Sequence, residues 1–84
     1  MINIIWHVYL LECSDQTYYC GITNDISARI AKHNAGKGSK YCKARLPVKL
    51  LISKECSSKS EALKLEYKIK QLPKQEKQNA LKTI

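Results

Sequence analysis

The pattern of apolar and polar positions at the start of the chain predicts a β-hairpin. Apolar, β-branched and aromatic residues dominate positions 4–13 and 17–22, and the polar residues 14–16 separate the two runs. A hairpin loop of three residues is built as a type I turn followed by a residue in the left-handed conformation. We therefore expect two antiparallel strands, with Gln16 in the left-handed position.

The length of this loop also sets the register of the hairpin. Three loop residues place Tyr9 opposite Gly21 and Tyr19 opposite Leu11, so the two tyrosines project from one face as diagonal neighbours. We expect the glycine opposite Tyr9 to leave a patch of sheet uncovered, where a substrate backbone could approach. The other face is expected to enter the core, and it carries Trp6, Val8, Leu10, Tyr18, Cys20 and Ile22.

The rest of the chain alternates between helical and strand patterns. Capping residues at 23–25 and 57–58 predict the starts of two helices, and Pro73 ends the second of these and opens a last one. The predicted elements are, in chain order, a helix over 26–34, a loop over 35–47, a strand over 48–56, and helices that end near residues 72 and 82. The order ββαβαα predicts an α/β sandwich, with a small three-stranded antiparallel sheet flanked by helices, in a single domain over residues 1–84.

The net charge of the chain predicts a negatively charged partner. Fifteen Lys and Arg residues against seven Asp and Glu residues leave a formal net charge of +8 on 84 residues. An excess of this size attracts polyanions such as nucleic acid, because each neutralised phosphate releases condensed counterions. A surface that is charged only for solubility is the alternative.

Cysteine spacing and the lengths of the apolar runs exclude other classes of protein. The four cysteines, at positions 13, 20, 42 and 56, form no C-x-x-C pair, so neither a zinc ribbon nor a redox motif is predicted. No apolar run reaches the length of a membrane span, and polar residues interrupt the segment where a signal peptide would be continuous. We expect reduced cysteines in a cytoplasmic protein without a membrane partner.

Glu66 fits a purely structural interpretation least well. The helix that contains it carries an apolar stripe formed by Ala62, Leu65, Ile69 and Leu72. At about 100° per residue, Glu66 lies inside this stripe, and a carboxylate that faces a core requires a partner. Three interpretations stay open: a salt bridge to a nearby Lys or Arg, an edge residue that reaches solvent, or a metal ligand at the bottom of a cleft.

Arg29 and His33 form a second candidate site on the first predicted helix. They are four residues apart and therefore share one side, which borders the apolar positions Ile26 and Ile30. Taken singly, an arginine here is usually a surface residue, and a histidine near a helix end is usually solvated or a C-cap. Both could instead face the sheet that carries the two tyrosines.

The predicted loop over 35–47 is a candidate nucleic-acid surface. Its basic side chains, with one interleaved tyrosine, are typical of a segment that contacts phosphates. A plain solvated loop is the alternative. The residues concerned are Lys37, Lys40, Tyr41, Lys43 and Arg45.

Taken together, these residues resemble the GIY-YIG nuclease domain, and in particular its small stand-alone bacterial members (UPF0213-like). Residues 7–9 (HVY) stand at the first triplet of that family and residues 19–21 (YCG) at the second, and the resemblance runs from residue 6 to residue 81. The positions that match functional residues of the family are Tyr9, Tyr19, Arg29, His33 and Glu66.

The resemblance implies a divalent-metal-dependent endonuclease that hydrolyses phosphodiester bonds, in DNA rather than RNA. Glu66 would hold one weakly bound Mg²⁺ or Mn²⁺ ion, and Arg29 would clamp phosphate oxygens. Tyr9 would take the proton from the attacking water, if Arg29 or the metal lowers the pKa of the phenol from about 10. Tyr19 and His33 would orient the water or relay the proton. The protein is expected to be a monomer.

Two other functions stay open at this point. Many larger relatives carry a basic residue after the second triplet, where this chain has Ile22. This departure favours a nucleic-acid-binding module that has lost catalysis. A protein-interaction adaptor, whose basic face docks an acidic partner, is the third possibility.

Overall fold

The structure, a computed structural model, describes residues 4–83 and contains the expected antiparallel sheet of three strands in the order β2-β1-β3. The strands are β1 (Trp6–Glu12), β2 (Tyr18–Thr23) and β3 (Lys49–Cys56). The helices are α1 (Ile26–Asn34), α2 (Lys40–Lys43), α3 (Lys59–Lys70) and α4 (Lys74–Thr83). The fold is therefore the predicted ββαβαα arrangement with one short helix added before β3.

The hairpin adopts the expected register. Tyr9 pairs with Gly21, and Leu11 pairs with Tyr19. Gln16 has a φ of 69°, which is the left-handed conformation that a loop of this length requires. The first strand begins at Trp6 rather than at residue 4, and the other strand ends likewise differ by a residue or so from the expected ones.

The two faces of the sheet are covered by different helices. The face that we call the helix-pair face packs against α3 and α4, and its buried residues are Val8, Leu10, Cys20, Ala62, Ile69 and Leu81. The opposite face, which we call the tyrosine face, packs against α1 and α2, and its buried residues are Tyr9, Leu11, Cys13, Cys42 and Val48. Consecutive side chains of the central strand β1 therefore enter the two small cores alternately, one core on each face of the sheet.

Residues 35–47 were expected to form a loop without regular structure, and this prediction was wrong, because they contain the short helix α2. The Ser39 hydroxyl caps this helix by accepting a hydrogen bond from the Cys42 backbone N–H at 3.1 Å. Asn34, the last residue of α1, holds Val48, the residue just before β3. Its side chain donates to the Val48 carbonyl at 3.1 Å and accepts from the Val48 N–H at 2.8 Å.

The N-caps predicted for α1 and α3 are present as side-chain hydrogen bonds. Asp25 accepts from the Ala28 N–H at 3.1 Å at the start of α1, and Ser58 accepts from the Glu61 N–H at 3.1 Å at the start of α3. All four cysteines are free thiols, as expected. Among residues 4–83, each helix is too short or too polar to cross a lipid bilayer.

Candidate functional site

Tyr9 lies at the centre of a partly buried polar cluster on the tyrosine face. Its side chain is 1% exposed, and its hydroxyl oxygen lies 3.1 Å from Nε2 of His33. The Nε–H of Arg29 donates to the same oxygen at 3.4 Å. Strand β1 and helix α1 therefore meet through one phenol, which joins an imidazole to a guanidinium.

Tyr19 completes this cluster from the neighbouring strand β2. Its ring centroid lies 6.4 Å from that of Tyr9 and 5.4 Å from that of His33, whose ring stands edge-on to it. Arg29 is close to both phenols, and the hydrogen bond to Tyr9 is the largest contribution that raises the pKa of its guanidinium. We call Tyr9, Tyr19, Arg29 and His33 the phenol cluster.

His33 is fully buried and faces the sheet, so of the two interpretations left open the solvated or capping histidine is excluded. Burial lowers the pKa of its imidazole, and the charge of Arg29 lowers it further. Its Nδ1 has no hydrogen-bond partner among the described residues, because Gly38 packs against this edge of the ring. A side chain on Gly38 would collide with Nδ1. His33 is therefore a neutral imidazole, held between a phenol and a loop backbone.

Gly21 does not leave the sheet uncovered, which corrects the expectation from sequence. The Tyr9 phenol lies across it, and a Cβ built on Gly21 would be 2.5 Å from the Tyr9 hydroxyl oxygen and 2.7 Å from Cζ. The glycine of the second triplet thus makes room for the tyrosine of the first.

The pKa of the Tyr9 phenol is raised, contrary to what a general base requires. Burial is the largest cause and outweighs the hydrogen bond from Arg29, which acts in the opposite direction. Of the two groups that could lower the pKa of this phenol, Arg29 does not by itself offset the effect of burial. Tyr9 is a protonated phenol at neutral pH.

Glu66 lies on the other side of β2, against the helix-pair face. Its side chain is 18% exposed and forms an ion pair with Lys70 at 3.3 Å. Its charge also contributes, after burial, to raising the pKa of the Cys20 thiol to about 12. Of the three interpretations left open for Glu66, the structure shows both the salt bridge and the partly exposed edge position. Within residues 4–83, no hydrogen bond or ion pair joins Glu66 to the phenol cluster.

A hollow of about 200 Å³ lies at the outer edge of β2, lined by Tyr19 of the phenol cluster and by Lys70, the ion-pair partner of Glu66. We call it the edge hollow. The hollow is reached from both faces of the sheet, because it is lined by consecutive residues of β2 that point to opposite faces. One side chain from each of α2, α3 and α4 also lines it. Its lining residues are Tyr18, Tyr19, Cys20, Tyr41, Lys70 and Lys77. Sequence reasoning did not single out Lys70, although residues four apart on a helix are neighbours and its spacing from Glu66 indicates an ion pair.

The residues expected to contact nucleic acid from the 35–47 segment separate into two groups. Lys37, Lys40 and Lys43 are exposed. Arg45 is instead tied to Asp15 by an ion pair at 3.0 Å, and its guanidinium carbon lies 3.9 Å from the centre of the Tyr41 ring. The Tyr41 ring is thus held against the edge hollow.

The sequence of the chain matches the GIY-YIG catalytic domain over residues 5–79. The chain belongs to the GIY-YIG family. Two relatives are a UPF0213 protein of Halobacterium salinarum and one of Streptococcus agalactiae. The first is 53% identical over 86% of this chain and 94% of the relative, and the second is 49% identical over 98% of this chain and 93% of the relative.

Two solved structures resemble this GIY-YIG fold. The solution NMR structure of the UPF0213 protein BH0048 from Bacillus halodurans has a TM-score of 0.57 and 40% identity, and covers 93% of this chain and 83% of that one. The solution NMR structure of the protein EF2693 from E. faecalis has a TM-score of 0.65 and 33% identity, with 94% and 84% covered. The predicted family and fold class are confirmed.

Proposed function

We propose that this GIY-YIG protein is a divalent-metal-dependent endonuclease that hydrolyses phosphodiester bonds in DNA. The observation that carries the proposal is the phenol cluster, in which a guanidinium, two phenols and an imidazole meet beside the edge hollow. Phosphodiester hydrolysis needs donors for the charge that develops on the phosphate and a route for the proton of the attacking water. The formal charge of +8 supports a polyanionic substrate.

The donor set of the site fits a hard divalent cation. Among residues 4–83, no three His, Cys, Asp or Glu side chains are grouped so as to hold a metal ion together. Glu66 is a single, partly exposed carboxylate, which suits Mg²⁺ or Mn²⁺, because these ions keep several waters and bind few carboxylates plus substrate phosphate. When bound at Glu66, the ion would lower the pKa of a water molecule and neutralise charge on the phosphate.

The side chains of the phenol cluster have separate tasks in this proposal. Arg29 binds phosphate oxygens through its guanidinium fork. Tyr9 takes a proton from the attacking water at its hydroxyl oxygen and passes its own proton to Nε2 of His33, which lies 3.1 Å away. Tyr9 begins this relay protonated, because its pKa is raised, and His33 begins neutral, because its pKa is lowered. Both shifts oppose the transfer from Tyr9 to His33, so the relay depends on an ion at Glu66 that would acidify the attacking water. Tyr19 orients the water.

The experiment compares Glu66→Gln with a matched change of an exposed carboxylate, Glu76→Gln. Labelled single-stranded, duplex and branched DNA, with RNA of the same sequences, are incubated with Mg²⁺ or Mn²⁺. We expect cleavage of DNA by the wild type and by Glu76→Gln, none by Glu66→Gln, and similar binding by all three. Equal cleavage by Glu66→Gln would rule out the proposed metal site.

The second candidate is a nucleic-acid-binding module without turnover. Two observations favour it: Lys70 occupies the Glu66 carboxylate, and burial raises the pKa of Tyr9. Binding of DNA without products, with either metal, would support this module. An adaptor for acidic proteins would instead show no affinity for DNA at moderate salt, whereas phosphate binding weakens steadily as salt rises.

A further inference from the structure

We propose that the edge hollow binds one unpaired nucleobase, on the strand whose phosphate meets the phenol cluster. The inference rests on the proposed function and specifies the substrate, which would be single-stranded at the site of cleavage. Its starting point is the pair of tyrosines that bound the hollow. The rings of Tyr19 and Tyr41 are inclined by only 25°, and their centroids are 6.2 Å apart.

The size of the hollow suits a single planar ring system. Its volume of about 200 Å³ is below the roughly 300–1,000 Å³ of sites that enclose drug-sized ligands. Three tyrosines, Tyr18, Tyr19 and Tyr41, contribute to its lining. Tyrosine rings stack on any base, because every base has a π-face, so the site would select for an exposed base rather than for a sequence.

Both aromatic walls have contacts outside the hollow that favour their present orientation. The guanidinium of Arg45 lies 3.9 Å from the centre of the Tyr41 ring, and Asp15 holds that guanidinium at 3.0 Å. On the other wall, the Tyr19 ring packs edge-on against the buried His33. Rings that are already ordered lose little conformational freedom on binding, which favours stacking.

The charges around the hollow match a nucleotide rather than a neutral aromatic ligand. Lys70 and Lys77 both line it. The Lys77 ammonium donates to the Ile69 carbonyl at 3.0 Å and to the Lys70 carbonyl at 3.3 Å, so its charge is held in place at the end of α3. A phosphate beside the base would meet this charge. A base inside a duplex is covered on both faces and must be unpaired or extruded to enter.

The experiment measures binding rather than cleavage. Labelled single-stranded and duplex DNA, and single-stranded RNA, are titrated with the full chain in EDTA, using fluorescence anisotropy. Alanine substitution of an aromatic residue that stacks on a base weakens binding roughly 5- to 150-fold, and we expect Tyr41→Leu to weaken single-strand binding within this range. Tyr41→Phe, which keeps the ring, and Tyr67→Leu, which removes an exposed tyrosine outside the hollow, should bind as the wild type does.

A second measurement needs no variant. A single strand that carries 2-aminopurine should lose fluorescence on binding the wild type, because the base stacks on tyrosine, whereas the same base inside a duplex should not. Wild-type affinity in Tyr41→Leu, equal losses for single strand and duplex, or the absence of quenching would each overturn the proposal. The binding titrations contain EDTA and therefore do not depend on a metal ion. If cleavage by Glu66→Gln refutes the nuclease proposal, the binding and quenching results stand unchanged, so failure of one proposal can be told from failure of the other.

Discussion

Replacing Gly21 by alanine tests whether the sheet holds Tyr9 by close contact. The added methyl carbon would lie 2.5 Å from the Tyr9 hydroxyl oxygen, 2.7 Å from Cζ and 3.1 Å from Cε1. The ring has little freedom to move aside, because its oxygen is bonded to His33 and Arg29 and its side chain is 1% exposed. Gly21→Ala should therefore displace the phenol and loosen the cluster.

The magnitude follows from two opposing contributions. Crowding a packed site costs about 1–3 kcal/mol of unfolding free energy. Alanine also restricts the unfolded chain, which returns about 0.4–1 kcal/mol where the backbone conformation is ordinary. The backbone of Gly21 is not left-handed, so this gain applies. We expect a net loss of roughly 1–2 kcal/mol, and each 1 kcal/mol lowers the Tm of a domain of this size by about 4–8 °C.

A double-mutant cycle in urea separates the contact from other effects of the alanine. Unfolding free energies are measured for the wild type, Gly21→Ala, Tyr9→Leu and the double variant. Without the ring there is nothing to crowd, so alanine should stabilise the Tyr9→Leu background by about 0.4–1 kcal/mol. The reasoning fails if Gly21→Ala lowers the unfolding free energy equally in both backgrounds.

Two further predictions concern charges at the site. The pKa of His33 in the folded protein lies below the usual 6.5, so the unfolded chain binds this proton first as pH falls. The unfolding free energy should therefore fall as pH falls through 6.5. His33→Gln should flatten this slope in urea titrations from about pH 5.5 to pH 7.5. A slope unchanged by His33→Gln contradicts this assignment. Lys70→Gln removes the cation that competes for Glu66. An i,i+4 ion pair is worth about 0.3–0.5 kcal/mol, so the Mn²⁺ affinity, measured by electron paramagnetic resonance, should rise about two-fold. Unchanged affinity would mean that Glu66 is not the ligand.

The hairpin and its register could be predicted from sequence because both depend on local rules. Strand side chains alternate between faces, and a loop of three residues leaves one pairing of the two strands, which puts Tyr9 and Tyr19 together. The start of α1 is also local, since Asp25 caps it with its own side chain. These elements needed no knowledge of the rest of the chain.

Sequence reasoning was wrong or left alternatives open where distant segments meet. His33 is buried because the backbone at Gly38 packs on its ring, and no periodicity of α1 contains that contact. Gly21 is covered because the Tyr9 ring turns toward it, whereas register alone says only that the two residues are opposite. The helix α2 is too short to show a period, although its cap, Ser39, was present in the sequence.

If the proposed function holds, the position of Glu66 requires the site to lie at an edge of the sheet. Tyr19 and Cys20 are consecutive in β2 and point to opposite faces, the first toward the phenol cluster and the second toward the helix face that carries Glu66. In the middle of a sheet, hydrogen-bonded neighbours would separate two such groups. β2 is an edge strand, so its outer side is open to both faces, and the edge hollow spans them. A phosphate at that edge could therefore meet Arg29 from one face and an ion at Glu66 from the other, which would not be possible if another strand paired with β2.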